Sequence, residues 1–268
     1  MKIIVSHDVD HLSPSDHILR DLYFPKLWVR SIINLLRGKC KLGDVIYNLK
    51  LVFSDRLHHV YEVMELDKKY GVPSTFFWGM RSGLGMSYHS VEAKELMEYV
   101  SQNGFCIGVH GIEYSNLPKM KEEYDEFKKI IGHSPKGIRM HYVRYMDDTF
   151  IFEDQLGYMF DSTEFNKQEK GSIKAPYKVG SMWEFPLGLM DVYMPENLET
   201  AISFTIEQIN RFKEKNIEYM TVLFHDNYFS GQSPFLKQWY EWFVNYIANA
   251  SDISFISFED AIKELEGK

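Results

Sequence analysis

Short apolar runs alternate with longer amphipathic stretches over the whole chain, and this alternation limits the fold more than any other feature. The runs are rich in β-branched and aromatic residues, and several are apolar throughout, as in strands that are buried on both faces. They lie at Lys2–Ser6, Ser74–Trp78, Phe105–Val109, Gly137–Met140, Glu184–Leu187, Glu218–Phe224 and Ile253–Ile256. This alternation predicts parallel βα units, arranged either as a barrel or as an open doubly wound sheet.

The stretches between these runs have the spacing of amphipathic helices. They lie at Val60–Tyr70, Val91–Gln102, Lys119–Ile131, Leu198–Lys215, Phe235–Ala248 and Phe258–Glu266. Ser257 is expected to cap the last of them, because serine before an acidic first turn is a common helix start. The sequence contains no internal repeat and no linker rich in Pro, Gly or Ser. We therefore expect a single domain over residues 1–268.

Titratable side chains follow four of the predicted strands at their C-terminal ends. They are Asp8 and Asp10, His110, Arg139 and His141, and His225 and Asp226. In a (β/α) barrel the active site is built at that rim, whereas an open sheet binds its ligand at one switch point between neighbouring loops. No glycine-rich phosphate loop follows any of the strands. The pattern favours a barrel with a site at its rim.

The residue types at this rim are those of a metal-assisted hydrolase. Two carboxylates as close as Asp8 and Asp10 repel each other unless a metal ion or an arginine lies beside them. One carboxylate and one or more imidazoles suit zinc, which leaves a second carboxylate as base and a second histidine as acid. The alternatives are structural, since Asp-x-Asp is a common turn device and a histidine at a strand end often only forms hydrogen bonds.

Five segments resemble, in chain order, the motifs of the polysaccharide deacetylases, which form carbohydrate esterase family four with the nodulation-factor deacetylases. The segments are Ser6–Asp10, Phe105–Gly111, Gly137–Tyr142, Trp183–Leu187 and Val222–Asp226. The His-Tyr pair after Arg139 is similar to a subgroup found with capsule and O-antigen gene clusters. The resemblance covers nearly the whole chain and implies a distorted (β/α)7 barrel.

The resemblance also implies an activity, namely hydrolysis of the N-acetyl group of an amino sugar during surface-polysaccharide synthesis. Asp8 would be the base, oriented by Arg139, and His225 would be the acid that protonates the leaving amine. Asp10 and His110 would bind a divalent metal, most simply zinc, which would polarise the acetyl carbonyl. The substrate would be an N-acetylated sugar or a lipid-linked saccharide.

Four further residues are predicted to lie around the bound substrate. Tyr142, Trp183 and Tyr228 are candidates for stacking on sugar rings, and a backbone N–H near Tyr142 would bind the oxyanion. Asp226 is the candidate that orients His225. For each aromatic residue, packing in the core is the alternative.

The chain departs from the family in its second motif, where a second metal-binding histidine is replaced by Tyr114. We predict that His141 supplies the third ligand, or else forms a hydrogen bond to Asp8 or to the substrate. Glu113, Tyr114 and His11 are the rival ligands. If no third ligand exists, the alternative function is a metal-free, inactive carbohydrate-binding protein with the same fold.

The net charge and the N-terminal sequence limit the expected binding partners and cellular compartment. A net charge of −8 argues against nucleic-acid binding, and Cys40 and Cys106 are too few for a disulfide framework or a thiolate zinc site. The N-terminus does not have the pattern of a secretory signal, and no stretch is long and apolar enough to cross a bilayer, so we expect a cytoplasmic protein. The oligomeric state stays open.

Residues 20–53 differ from the rest of the chain in charge. This segment carries seven cationic and two acidic residues, a net +5, so the remainder sums to −13. Its cations are Arg20, Lys26, Arg30, Arg37, Lys39, Lys41 and Lys50. Aromatic and aliphatic residues lie between them. The segment is therefore either a helical insertion that covers the barrel or a peripheral contact with an anionic membrane or lipid diphosphate.

Overall fold

A single curled sheet forms the centre of the computed structural model, which describes residues 1–17, 21–38, 40–231 and 233–267. The described residues contain ten strands. The strands are β1 (Lys2–Val9), β2 (Thr75–Gly79), β3 (Cys106–Gly111), β4 (Gly137–Met140), β5 (Phe160–Asp161), β6 (Tyr177–Val179), β7 (Met182–Glu184), β8 (Leu187–Met190), β9 (Tyr219–Leu223) and β10 (Ser254–Phe255).

The strand order is β6-β7-β5-β4-β3-β2-β1-β9-β8, and β10 pairs with the first residues of β1. Every pair is parallel except the β6–β7 hairpin. Among the described residues no ladder joins β8 to β6, so the sheet forms an incompletely closed, distorted barrel. Because the paired strands are parallel, their carboxyl ends meet at one rim.

Nine helices within the described residues follow or connect the strands. They are α1 (Tyr23–Leu36), α2 (Leu42–Lys50), α3 (Val60–Tyr70), α4 (Ser90–Gln102), α5 (Leu117–Ile131), α6 (Thr149–Leu156), α7 (Leu198–Glu214), α8 (Pro234–Ala248) and α9 (Phe258–Glu266). Side-chain caps start several of them: Ser257 accepts a hydrogen bond from the backbone N–H of Asp260, and Asn197 from that of Thr200. The predicted cap at Ser257 is confirmed.

The two faces of the sheet have different surroundings, because successive side chains of a strand point to opposite faces. Ile3 and Val5 of β1 belong to the large core between the sheet and the helices α3, α4, α5, α7 and α8. Ile4 belongs to a second apolar cluster, in which Phe258 of α9 stacks on Phe160 at 4.3 Å between ring centroids. Asp8 comes four residues after Ile4 in β1, so its side chain points to the same face of the sheet. The site therefore lies on the face that α9 covers near the other end of the strands.

The predicted fold class, an α/β distorted barrel, is confirmed, but one strand assignment was wrong. The predicted strand Glu184–Leu187 is two strands, β7 and β8, which are separated by Phe185 and Pro186. Proline has no N–H for a ladder and breaks the run at this point. The short strands β5 and β6 were not predicted.

The segment after β1 contains the two helices α1 and α2 and then a short turn before α3. Tyr47 and Trp28 pack around a small cluster formed by Phe24, Leu51 and Leu57. The helical character expected for the insertion is present. Arg20 and Lys39, two cations of the basic segment, lie outside the described residues.

A buried carboxyl group on α6 is expected to make the free energy of unfolding depend on pH. Glu153 is fully buried, and neither of its carboxyl oxygens has a hydrogen-bond partner among the described residues. Burial, followed by the nearby Asp161 carboxyl, raises the pKa of Glu153 well above its usual value. A raised carboxyl pKa stabilises the folded state at low pH, and that contribution is lost as pH rises above the pKa of the unfolded chain.

Glu153→Gln is therefore expected to be more stable than the wild type at neutral pH. The difference in the free energy of unfolding should grow by about 1.4 kcal/mol per pH unit above pH 5, until the pKa of the folded-state carboxyl is reached. Urea unfolding at pH 5, 6 and 7 measures it. The exposed Glu65→Gln on α3 is the control and should show no such trend. A constant difference between Glu153→Gln and wild type at all three pH values would contradict the assignment.

Candidate functional site

The candidate site lies where four parallel strands end. Asp8 and Asp10 come from the end of β1, and His110 from the end of β3. Arg139 lies in β4 with His141 directly after it, and His225 follows β9. The register places His110 beside Arg139 and the end of β1 beside β2 and β9. The strands thus bring together side chains that are up to 217 positions apart in the sequence.

Asp10, His110 and His141 form the centre of this site, with one ligand atom of each within 4.8 Å of the others. Oδ1 of Asp10 lies 3.3 Å from Nε2 of His110 and 3.6 Å from Nδ1 of His141. The two imidazole nitrogens are 3.0 Å apart. The site is therefore a compact group of one carboxylate and two imidazoles.

Two backbone carbonyls fix which imidazole nitrogens face this centre as acceptors. Nδ1 of His110 donates to the carbonyl of Arg139 at 3.0 Å, and Nε2 of His141 donates to that of Leu84 at 3.2 Å. A neutral imidazole that donates through one nitrogen presents a lone pair on the other. The remaining nitrogens and the Asp10 carboxylate then converge as three acceptors. Only a cation or a shared proton stabilises such an arrangement.

The polar atoms at the centre fit a divalent metal. Oδ1 of Asp10 is buried and has no hydrogen-bond donor among the described residues. Burial raises the pKa of Asp10, but positive charge on the imidazoles of His141, His110 and His225 outweighs burial and holds that pKa well below its usual range, so the carboxylate is stabilised by a cation at this position. One carboxylate and two imidazoles are a donor set found in catalytic zinc sites, where a further position stays open for water. These three residues are the candidate metal ligands.

Asp8 has a different environment from Asp10, because its partner is an arginine. Oδ1 of Asp8 accepts a hydrogen bond from Nη1 of Arg139 at 3.0 Å. The guanidinium is fully buried, donates to the backbone and hydroxyl oxygens of Ser162, and lies 4.6 Å from the centroid of the Phe77 ring. Oδ2 of Asp8 lies 3.5 Å from Nε2 of His110. Asp8 is therefore a carboxylate held rigidly beside the candidate metal ligands.

His225 approaches the site from the opposite side and is held by Asp191, which follows β8. Nδ1 of His225 donates to Oδ1 of Asp191 at 2.9 Å, and its backbone N–H donates to Oδ2. Nε2 lies 3.8 Å from Oδ2 of Asp10 and so points into the site. Burial lowers the pKa of His225, but the carboxylates of Asp191, Asp10 and Asp8 outweigh burial and raise it to about 10. The three carboxylates therefore favour the protonated form of this imidazole.

Asp226 does not orient His225, contrary to the prediction. Its Oδ2 accepts a hydrogen bond from the backbone N–H of His59 at 2.6 Å, and its Oδ1 is buried without a partner among the described residues. Burial raises the pKa of Asp226 to about 8. Asp226 instead connects the β9 rim to the start of α3. The orienting carboxylate is Asp191, which was not predicted.

The three predicted aromatic residues have different positions. The Tyr142 ring lies 4.0 Å from His141, is 57% exposed, and donates through its hydroxyl to the carbonyl of Leu84. The Tyr228 ring lies 5.8 Å from His225. Trp183 packs instead against the apolar cluster beneath α9, with Lys178 over its ring. The structure thus brings Tyr142 and Tyr228 to the site and places Trp183 away from it.

The rival third ligands have other partners. Glu113 accepts hydrogen bonds from the backbone and hydroxyl of Ser115, and the Tyr114 ring packs under the guanidinium of Arg144. His11 forms a hydrogen bond between its Nδ1 and Nε2 of His17 at 3.0 Å. Of the four candidates, only His141 joins Asp10 and His110 within ligand distance.

Comparison with known proteins adds information on the fold alone. No family model and no curated protein matches the sequence. A structure from Mycobacterium smegmatis, described as a polysaccharide deacetylase, matches 99% of this chain and 90% of its own with a TM-score of 0.66 at 15% identity. One from Pseudomonas aeruginosa PAO1 with the same description gives 0.63 at 14% identity, over 100% and 90%. An allantoinase gives 0.64 at 13% identity, again over 100% and 90%. The chain thus has the fold that these three structures share.

Proposed function

We propose that this protein is a metal-dependent deacetylase that hydrolyses the N-acetyl group of an amino sugar. The observation that carries the proposal is the convergence of three acceptor groups, Asp10, His110 and His141, between a carboxylate held by arginine and an imidazole held by aspartate. An amide hydrolase that uses a metal needs this combination: ligands, a base and an acid. The fold shared with two structures described as polysaccharide deacetylases supports a sugar substrate.

The roles of the residues follow from their positions. A divalent metal on Asp10, His110 and His141 would polarise the acetyl carbonyl and lower the pKa of a water molecule toward ~7. Asp8 would remove a proton from the attacking water, since Arg139 keeps its carboxylate oriented toward His110.

His225 would donate its proton to the amine nitrogen as the C–N bond breaks. The products are acetate and the free amine. A backbone N–H near Tyr142 would donate to the oxyanion, and the rings of Tyr142 and Tyr228 would contact the sugar. Zinc is our choice of metal because of the ligand types.

The proposal is tested by measuring acetate release from a panel of N-acetylated hexosamines and their oligosaccharides, with chelator-treated protein reloaded with zinc. Acetate release that depends on zinc supports the proposal. Allantoin belongs in the panel, because one of the similar structures is an allantoinase. Activity on allantoin alone would overturn the assignment to sugars. Saccharide binding without zinc binding or acetate release would favour the inactive carbohydrate-binding alternative.

Asp191→Asn tests how His225 is held. We expect a loss of turnover of about 10–100-fold with little change in KM, because the amide no longer stabilises a protonated His225 at the same orientation. Zinc affinity should stay close to that of the wild type, since Asp191 contacts none of the three candidate ligands. Asp226→Asn is the matched control. A larger loss in Asp226→Asn than in Asp191→Asn would restore the original prediction for Asp226.

The cellular setting is part of the proposal. Among the described residues, no helix is long and apolar enough to cross a membrane. We place the enzyme in the cytoplasm, acting on a saccharide of capsule or O-antigen synthesis. Residues 1–268 would form one barrel domain with a helical insertion at 20–53.

A further inference from the structure

Helix α1 exposes an apolar stripe to solvent. Its members are Val29, Ile32, Ile33 and Leu36, of which Leu36 is 81% exposed, and Leu22, directly before the helix, is exposed as well. The spacing of 3, 1 and 3 residues from Val29 to Leu36 places these four side chains on one side of the helix. An amphipathic helix of a globular protein normally turns this side toward its core. Here the side that faces the protein is formed by other residues, among them Phe24 and Ser31.

Helix α2 and the turn after it repeat the pattern. Leu42, Ile46, Leu49 and Phe53 recur with spacings of 4, 3 and 4 residues, and Phe53 is 86% exposed. Nine of the nineteen exposed large apolar side chains of the described residues lie between positions 22 and 53. Such a concentration is typical of an interaction surface and not of ordinary solvent-exposed residues. We call α1, α2 and the turn that ends at Phe53 (residues 23–53) the hairpin, which is distinct from the β6–β7 strand hairpin.

Cations accompany the apolar stripes. Lys26, Arg30, Arg37, Lys41 and Lys50 are all exposed. The hairpin's acidic residue Asp44 is half-buried and accepts a hydrogen bond from the backbone N–H of Lys41. This positive surface belongs to a protein with a net charge of −8. Apolar side chains flanked by Lys and Arg complement an anionic lipid surface, which offers both an acyl boundary and negative headgroups.

We propose that the hairpin binds the surface of an anionic membrane, with both helices lying in the plane of the interface. The apolar stripes enter the headgroup–acyl boundary, and the cations contact phosphate groups. Neither helix crosses the bilayer, because α1 has 14 residues and α2 has nine.

The hairpin also borders the candidate site. The Tyr23 ring lies 4.9 Å from that of His11, which directly follows Asp10, and 4.7 Å from that of His17. Tyr47 lies so close to Gly231 that a side chain there would collide with its ring. Gly231 belongs to the loop that follows His225 and Tyr228. Both contacts place the hairpin against loops that leave the rim of the candidate site, so a membrane that binds the hairpin would lie near that rim.

This position identifies a class of substrate, and that part of the inference rests on the proposed deacetylase function. A sugar attached to a lipid in the same membrane would be presented to the site at the membrane surface. The substrate class is therefore an N-acetylated saccharide carried by a membrane lipid.

Sedimentation with vesicles tests the docking without any assay of activity. The protein should sediment at low salt with vesicles of phosphatidylglycerol and phosphatidylcholine, and far less with phosphatidylcholine alone. Val29→Gln/Leu36→Gln and Arg37→Gln/Lys41→Gln should each weaken binding by about tenfold or more. The matched controls are Val91→Gln/Ile151→Gln and Lys128→Gln/Lys215→Gln, which change exposed residues on other helices or, for Lys215, directly after one. The controls should bind like the wild type.

Several outcomes would overturn the docking. They are a wild type that ignores anionic vesicles, hairpin variants that bind as well as the wild type, or a solution dimer that the hairpin variants dissociate. The last result would show a second copy of the chain as the occupant of this surface.

Assays of acetate release distinguish a failure of membrane binding from a failure of the proposed deacetylase function. The hairpin variants should keep wild-type activity on a soluble N-acetylated saccharide and lose activity on an N-acetylglucosaminyl lipid in anionic vesicles. Equal activity of variants and wild type on the vesicle substrate would contradict the substrate class. A wild type that binds vesicles but releases no acetate from either substrate would refute the proposed function and leave the docking standing.

Discussion

Replacing Asp8 with asparagine is expected to lower turnover by about 10²–10⁴-fold while zinc stays bound. That range is the typical contribution of a general acid or base. Asparagine keeps the size of the side chain and an oxygen for the hydrogen bond from Arg139, but its amide cannot accept a proton from water. Asp8 lies beside the candidate ligands without joining them, because its carboxylate pairs with the arginine. Zinc affinity should therefore change little.

Two measurements check this prediction, acetate release under saturating substrate and calorimetric titration of chelator-treated protein with zinc. Asp148→Asn, which changes a residue before α6, serves as a control for the loss of one negative charge. Loss of zinc together with activity in Asp8→Asn would make Asp8 a ligand, and the assignment of base and ligand would have to be exchanged with Asp10.

The second large effect concerns His141, which we propose as the third ligand. His110→Ala and His141→Ala should weaken zinc binding to a similar extent, by about 100-fold or more, because each removes one of three protein ligands. Alanine leaves only two ligands, which is fewer than the three protein ligands of catalytic zinc sites. Zinc titration of both variants gives the comparison directly.

His133→Ala provides the control, since this histidine is exposed and lies outside the site. An affinity of His141→Ala equal to that of the wild type would exclude ligation and leave His141 with a hydrogen-bonding role. In that case the centre would have only Asp10 and His110 as ligands, and the inactive carbohydrate-binding alternative would gain support.

The rim residues could be predicted from sequence because a parallel barrel has a simple rule. Polar side chains directly after apolar strands reach the carboxyl rim, and Asp10, His110 and His141 satisfy this rule at β1, β3 and β4. The rule needs only the strand ends, and these three side chains do converge at the rim. It also explains why residues far apart in the sequence converge.

Asp191 was missed because one strand end was misplaced. The predicted strand ended at Leu187, whereas β8 runs from Leu187 to Met190, and Asp191 is the first residue after it. With the correct strand, the same rule would have identified this carboxylate. Pro186 was the signal, since proline inside an apparent strand indicates a break.

The errors at Trp183 and Asp226 have another cause. The position of a residue in the sequence indicates at which end of the sheet it lies, but it does not indicate which groups its side chain contacts. Trp183 belongs to β7, where it packs into the cluster beneath α9, and Asp226 turns toward the backbone of His59. Neither contact involves neighbours in sequence. The exposure of the stripes on α1 and α2 depends in the same way on packing, because periodicity alone does not tell which face of a helix is buried.

Zinc-dependent acetate release tests the central claim most directly. Chelator-treated protein is titrated with zinc while acetate release from an N-acetylated saccharide is followed. We expect no measurable acetate release without metal, and a rate that rises with added zinc to a plateau at one zinc per chain. His110→Ala should show neither the rise nor the plateau at the same zinc concentrations. Full activity after chelation, or zinc that binds at one per chain without producing acetate from any N-acetylated saccharide, would contradict it.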